Sequence, residues 1–173
     1  VLPSFAEQSP YPDIDYGSSA EAVHIKNGEY LTKMSDCVAC HTNHQDNGKP
    51  FAGGLGIETP FGTIYAPNIT PDQETGLGSW SDEEFIAAMQ QGISPDGRYY
   101  FPVFPYAHFN KMSQQDILDI KAYLARIPAV HQVNKEPDMP APFSWRPLQF
   151  FWRELFFHQA KGEWHPDSDH DQT

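Results

Sequence analysis

The sequence has few basic residues, only two cysteines and no long apolar run. Its 173 residues carry 11 Lys plus Arg against 23 Asp plus Glu, for a formal net charge of −12. This excess of acid disfavours nucleic-acid backbones and anionic membrane surfaces as partners. No stretch approaches the roughly 20 apolar residues of a membrane-spanning helix, and no basic and apolar leader opens the chain. We therefore expect no transmembrane segment, no nucleic-acid partner, and an export signal that has already been removed.

Length and composition predict one folded domain with flanking segments. A chain of this length fits one domain, and 39% hydrophobic residues can build its core. The 16 Pro and 12 Gly predict long loops, and no segment has a pattern typical of a strand. We divide the chain into an irregular N-terminal arm (1–17), a main domain (18–130) and a C-terminal extension with one helix and an acidic tail (131–173).

Apolar spacing and capping residues predict four helices. The first spans about residues 20–35, with Ser18 and Glu21 as a capping box. Its apolar residues Val23, Tyr30, Leu31 and Met34 are expected near one face. The other helices, given by the residues that begin and end them, are Ser81–Gly92, Ser113–Pro128 and the strongly apolar Pro147–Lys161.

The main chemical signal is Cys37-Val38-Ala39-Cys40-His41. Two thiols separated by two residues, with a histidine immediately after, match the attachment site of a c-type haem. The two sulfurs would form thioethers with one edge of the porphyrin, and His41 would be an axial iron ligand. The identity of the sixth ligand then decides the redox behaviour. The pattern predicts one covalently attached haem c.

Three other interpretations of the cysteines are possible. A structural zinc site needs four ligands, usually from a second Cys or His pair, and the remaining histidines are scattered. A thioredoxin-like dithiol normally follows a strand in a βαβ unit, and none is predicted here. A disulfide between Cys37 and Cys40 leaves His41 unexplained. We favour haem.

Further motifs extend beyond the haem signature. They are Gly28-Glu29-Tyr30-Leu31, Asp36 to Thr42, Pro50-Phe51-Ala52-Gly53-Gly54, Thr59 to Asp72, Thr75 to Ser81, Pro105-Tyr106 and Ile120 to Leu124. With these motifs the chain resembles class I cytochromes c. It resembles more closely the first haem domain of the multihaem cytochrome subunits of membrane-bound alcohol dehydrogenases and related periplasmic dehydrogenases. The resemblance implies an all-α class I cytochrome c fold with long loops, here with a C-terminal helical extension, and a periplasmic location.

The resemblance leaves the sixth iron ligand open. Members of that family often have a methionine two residues before the tyrosine of the Pro-Tyr pair, and Phe104 stands there in this chain. A phenyl ring cannot bind iron. Met112 lies in the loop before the last core helix and is our first candidate. His108, in the same loop, is the second, and an open sixth site is the third.

Other residues are expected around the haem. Asn68 and Tyr106 are candidates for hydrogen bonds to the propionates or for the lining of the sixth site, although Asn68 is also a good loop cap. Arg98 is the candidate cation for a propionate, with a solvated arginine as the alternative. Gly28 and Tyr123 are expected to meet where the first helix crosses the last core helix.

The sequence thus predicts an electron-transfer protein or subunit rather than an independent catalyst. It would accept electrons from a periplasmic dehydrogenase and pass them to another cytochrome, a quinone or a terminal oxidase of the respiratory chain. The apolar helix 147–161 would dock on a partner or pack back on the domain. The alternative is a haem protein with an open sixth site that acts as a ligand sensor or reacts with peroxide.

Overall fold

The structure is a computed structural model that describes residues 10–18, 20–145 and 147–157. The helices are α1 (Glu21–Met34), α2 (Cys37–Cys40), α3 (Asp82–Gln91), α4 (Tyr106–Phe109), α5 (Gln114–Leu124) and α6 (Pro147–Phe156). A 3₁₀ turn (His44–Asp46) and the strands β1 (Gly56–Thr59) and β2 (Gly62–Tyr65) lie between α2 and α3. None of the helices in these ranges is long and apolar enough to cross a membrane.

The core forms where α1 crosses α5, as the sequence predicts. The buried residues of α1 are Ile25, Gly28 and Thr32. The predicted apolar face was wrong for three of its four residues, since Val23, Tyr30 and Met34 are between 60% and 70% exposed. Leu31 is half-buried and packs against the core, as predicted. The crossing selects the face that carries Gly28, because a residue without a side chain lets the two backbones approach.

Local capping signals predicted two helix starts correctly and one wrongly. Ser81 forms a capping box with Glu84, and α3 ends at Gly92 in a left-handed conformation. The Ser113 side chain accepts a hydrogen bond from the N–H of Asp116 at the start of α5. In α1, however, the N-cap is Ala20 and has no side-chain cap. Ser18 lies two residues before that cap, too early to close a capping box with the first turn.

We predicted no strands, and this prediction was also wrong. β1 and β2 form an antiparallel hairpin in which Gly56 pairs with Tyr65 and Thr59 with Gly62. The Thr59 hydroxyl accepts the N–H of Phe61 at 3.1 Å and donates to the carbonyl of Gly62 at 2.7 Å, which stabilises the turn. Strands of four residues are too short to produce a clear alternation in sequence. The domain is therefore helical with a small sheet.

The C-terminal extension runs back over the domain before α6. Asp138 pairs with Thr63 through two backbone hydrogen bonds of 2.8 and 2.9 Å. The rings of Phe61 and Phe143 pack 4.6 Å apart. The helix predicted from Pro147 begins there, and its last four residues lie outside the described residues. So do the first nine residues of the arm and the acidic tail.

Candidate functional site

Both cysteines lie on one helical turn directly after α1. The chain leaves α1 through Asp36, which adopts a left-handed conformation with φ of 49°. The change of backbone direction at Asp36 ends α1 and starts α2, and Cys37 and Cys40 are the first and last residues of α2. Residues three apart in a helix share a face. The N–H of His41 then donates to the carbonyl of Cys37 at 3.0 Å, which holds both thiols and His41 on one turn of backbone.

The environment of Cys37 favours the neutral thiol. Cys37 is half-buried and Cys40 is exposed, and neither forms a disulfide. Burial, with smaller contributions from the charges of Asp36 and Cys40, raises the pKa of the Cys37 thiol to about 12. Thiolates that bind metals need the opposite shift. In the part of the chain that the structure describes, no three His, Cys, Asp or Glu side chains are grouped to hold a metal ion.

A distant backbone carbonyl fixes the ring of His41. The Nδ1 atom lies 2.7 Å from the carbonyl oxygen of Pro67. A carbonyl can only accept, so Nδ1 carries the proton and donates it. Burial lowers the pKa of His41, and the Pro67 carbonyl partly opposes this shift. This shift favours the neutral ring, in which Nε2 keeps the lone pair that a metal ion needs.

Gly53 makes the contact between His41 and Pro67 possible. Its N–H donates to the carbonyl of His41 at 2.7 Å. Its α-carbon faces the chain at Pro67 so closely that an added Cβ would lie 2.4 Å from the carbonyl carbon. The N–H of Gly54 donates to the carbonyl of Ala66 at 2.8 Å. The glycine pair thus joins the segment after the cysteines to the segment that carries the Pro67 carbonyl.

Asn68 braces the loop beside Pro67. Its side chain is buried and donates to the hydroxyl of Thr75 at 2.9 Å and to the carbonyl of Val130 at 2.7 Å. Its Oδ1 accepts from both the N–H and the hydroxyl of Thr70. All of these hydrogen bonds are made within the loop and its neighbouring chain, as expected if Asn68 is a loop cap. A role for Asn68 beside a haem propionate stays a prediction.

The loop with the sixth-ligand candidates is packed with aromatic rings. Phe104 is half-buried, and its ring lies 5.6 Å from Tyr100, 5.9 Å from Phe109 and 6.4 Å from the buried Tyr106. Met112 is half-buried against the hydrophobic core, and its carbonyl accepts from Gln90 at 2.9 Å. His108 is exposed on α4.

Arg98 lies in an exposed turn and pairs with its neighbour Asp96. Both Nε and a terminal nitrogen of the guanidinium lie 2.6 Å from Oδ2 of Asp96. The Arg98 and Ser94 side chains hold the pKa of the Asp96 carboxyl at about 2. The structure thus gives Arg98 an acidic partner within its own turn, and its role with a propionate stays a prediction.

Comparison with known proteins decides the family. The cytochrome c family model matches residues 25–128, from α1 to beyond α5 and through the whole site. The chain is a member of the cytochrome c family. This cytochrome is similar to a subunit of the nicotinate dehydrogenase of Pseudomonas putida, with 42% identity over 96% of this chain and 14% of that protein.

Two cytochrome subunits of other dehydrogenases are similar to the cytochrome as well. The cytochrome c subunit of the quinone alcohol dehydrogenase of Gluconobacter oxydans is 42% identical over 82% of this chain and 29% of that protein. The cytochrome c subunit of the gluconate 2-dehydrogenase of Pantoea cypripedii is 41% identical over 79% of this chain and 31% of that protein. The cytochrome spans less than a third of the length of these three relatives.

Two residues that shape the site had no role in the sequence analysis. Pro67 and Gly53 stand in the motifs that carry the resemblance, but nothing local pairs either with His41. A proline that supplies only a carbonyl leaves no side-chain signal. The Gly53-Gly54 pair was the available signal, because glycines adjacent in a loop indicate a close backbone approach.

Proposed function

We propose that this cytochrome transfers electrons through one haem c, attached covalently to Cys37 and Cys40 with His41 as the proximal iron ligand. Bound haem would supply a redox-active iron. The protein would attach the macrocycle at two sulfurs, hold His41 in the tautomer that binds iron, and exclude water with its aromatic loops. The turn from Cys37 to His41, with the hydrogen bond to Pro67, is the observation that carries the proposal.

The fold and the relatives support this function. We propose a class I cytochrome c fold, and the crossing of α1 and α5 supports it. Relatives that are cytochrome subunits of dehydrogenases support a periplasmic dehydrogenase as electron donor and a cytochrome, quinone or oxidase of the respiratory chain as acceptor. Phe151, Leu155 and Phe156 of α6 are between 60% and 70% exposed, which supports docking of a partner protein on this helix.

Haem attachment is tested by cysteine and histidine substitutions. Cys37→Ala and Cys40→Ala should each leave one thioether, and the double variant should carry no covalent haem in an intact mass measurement. His41→Ala should lose the low-spin spectrum. His44→Ala is the matched control, because His44 is exposed nearby and should leave the spectrum unchanged. Covalent haem retained in the double variant would contradict the proposal.

We propose Met112 as the sixth ligand, with His108 second. The half-buried position of Met112 supports it, since a ligand must lie inside the domain. In Met112→Leu the long-wavelength band of a thioether-ligated ferric haem should disappear. His108→Ala should keep that band, and so should Met34→Leu, which changes an exposed methionine. If the parent lacks the band and only His108→Ala changes the spectrum, His108 is the ligand.

An open sixth site is the second candidate. Phe104 favours it, because a ring that cannot bind iron stands where the family resemblance leads us to expect a methionine. The test is to add carbon monoxide to the reduced protein. Rapid and complete binding would favour a ligand sensor or a peroxide-reactive enzyme. A spectrum that does not respond would favour the electron carrier.

A further inference from the structure

Arg153 of α6 reaches back to the end of α3 and to the aromatic residues beside it. Its guanidinium carbon lies 4.5 Å from the ring centre of Tyr99, 5.6 Å from Tyr106 and 4.7 Å from Phe157. It also donates a hydrogen bond to the carbonyl of Gln91, the last residue of α3. A cation is favourable at a helix C-terminus and over aromatic faces. One side chain therefore joins α6 to α3 and to the loop that follows α3.

Two aromatic rings strengthen this contact. Phe157 packs edge-on against Tyr106 at 5.1 Å, and Phe150 lies 6.4 Å from Tyr99. Phe150, Arg153 and Phe157 are three and four residues apart, so they share one face of a helix. On this face Arg153 and Phe157 are half-buried and Phe150 is 45% exposed, whereas Phe151 and Leu155 on the other side are 60% and 70% exposed.

The loop that α6 covers contains His108, the second sixth-ligand candidate, and ends three residues before Met112, the first candidate. Tyr106 begins α4, the short helix that also carries His108, and Phe104 packs against Tyr106 at 6.4 Å. On the other side of Tyr106, a Cβ added to Gly92 would lie 2.5 Å from the ring. Tyr106 is thus held between the end of α3 and α6. If Arg153 moved away, Tyr106 would lose its packing against α6 and keep only its packing against the end of α3.

Arginine suits this position better than lysine does. A planar guanidinium stacks on rings and keeps in-plane donors for a carbonyl, which a lysine ammonium does not. The positive charge of Arg153 also acts on the phenol beside it: burial raises the pKa of Tyr106, and Arg153 opposes that rise.

We propose that Arg153 is a positioning residue that holds the segment 99–109 on the domain and thereby limits the access of external ligands to the sixth side of the haem. The inference rests on the proposed haem function. It goes beyond it, because α6 lies outside residues 25–128, which the family model matches. The extension would then control the reactivity of the cofactor in addition to offering a docking surface.

The first experiment measures the loop directly. Amide hydrogen exchange is compared in the parent protein, Arg153→Ala, Arg153→Lys and Arg126→Ala. Arg126 is the matched control, since it is exposed and pairs with Glu21 at 3.1 Å. We expect exchange in residues 99–109 to be at least tenfold faster in Arg153→Ala, intermediate in Arg153→Lys and unchanged in Arg126→Ala. Exchange in α1 and α5 should stay unchanged, which separates loop release from general unfolding.

The second experiment measures access to the iron by the association rate of imidazole with the oxidised holoprotein. Arg153→Ala should bind imidazole at least tenfold faster than the parent, and Arg153→Lys should recover part of the difference. Unchanged exchange in residues 99–109 would overturn the proposal. Faster exchange with an unchanged imidazole rate would also overturn it, because Arg153 would then be only structural. If the purified protein carries no haem, the proposed function fails. The exchange data then still test whether Arg153 holds residues 99–109 on the domain.

Discussion

Gly28 lies so close to the backbone of Asp119 that a Cβ added to the glycine would be 1.8 Å from the Asp119 carbonyl oxygen. The next atoms on this path belong to the backbone of Asp119 and Ile120. We predicted that Tyr123 lies opposite Gly28, and the closest backbone approach is one helical turn earlier on α5, at Asp119. Tyr123 is fully buried, and its ring lies 6.4 Å from that of Phe51. Its contact with Gly28 stays a prediction.

Gly28→Ala should therefore be strongly destabilising. The two backbones must separate to admit a methyl group, and overpacking of this kind costs about 3 kcal/mol. Gly97→Ala is the control: its φ of +79° makes alanine strained, but nothing lies within 4 Å of the added Cβ. We expect a cost of about 1 kcal/mol there. Equal losses in urea unfolding of the two variants would contradict close packing at the crossing.

The same crossing contains a buried carboxylate, and Asp119→Asn tests it. Asp119 is 4% exposed and accepts hydrogen bonds from His24 at 2.8 Å, Asn27 at 2.7 Å and Gln115 at 2.7 Å. An amide would place its own donors against these donors, so we expect a loss of about 2 kcal/mol at pH 7. Asp82→Asn is the matched control, because Asp82 is 61% exposed in its pair with Lys121, and should cost about 0.5 kcal/mol. A loss in Asp119→Asn no larger than that of the control would show that the network contributes nothing.

Features formed by neighbouring residues were predictable from the sequence. The turn from Cys37 to His41 and the caps at Ser81 and Ser113 each form within five residues, so the pattern contains all the groups involved. The family resemblance also gave the crossing of α1 and α5. In each case the groups that satisfy one another are adjacent in the chain or belong to a long periodic segment.

Features that depend on distant partners were not predictable. The buried face of α1 is selected by the backbone of Asp119, more than 90 residues away in the chain. The orientation of His41 depends on the carbonyl of Pro67, which any residue could supply. The contacts of Arg153 need α6 to fold back, and an apolar helix alone does not say which of its faces is buried.

The pair of Asp96 and Arg98 predicts a small dependence of stability on pH. The Asp96 pKa is lowered from 3.8 to about 2, first by the Arg98 side chain and then by Ser94. A lowered folded pKa means that the pair stabilises the protein above the unfolded value and loses this contribution as pH falls from about 4 to about 2. Because the two side chains are 51% and 52% exposed, the effect should stay below about 1 kcal/mol.

A double-mutant cycle isolates this contribution. The variants Asp96→Asn, Arg98→Gln and the double variant are unfolded with urea at about pH 6 and about pH 3. The coupling free energy should be measurable at the higher pH and should fall at the lower one. A coupling that stays constant between the two values would show that the pair is not the source of any acid sensitivity.

The glycine pair beside the site gives the sharpest test of the support for His41. Gly53 and Gly54 both have positive φ, of 76° and 85°, so alanine is strained at each. An added Cβ on Gly53 would meet the backbone of Pro67 at 2.4 Å, whereas on Gly54 it would meet only the side chain of Gln132 at 2.6 Å. Gly53→Ala should thus displace the carbonyl that accepts from His41, and Gly54→Ala should let a flexible side chain move.

The two variants should separate in stability and in haem content. We expect Gly54→Ala to lose about 1 kcal/mol and to keep the haem content and spectrum of the parent. Gly53→Ala should lose about 3 kcal/mol or more, and its covalent haem per protein should fall by at least half. Intact mass and the visible spectrum measure the haem, and urea unfolding measures the stability. If Gly53→Ala is destabilised but keeps the parent's haem content and spectrum, the His41–Pro67 contact is not needed to hold the ligand. Gly53 would then serve only the packing of the two chain segments. The strain of a positive φ is common to Gly53 and Gly54, so it cannot account for a difference in stability between the two variants.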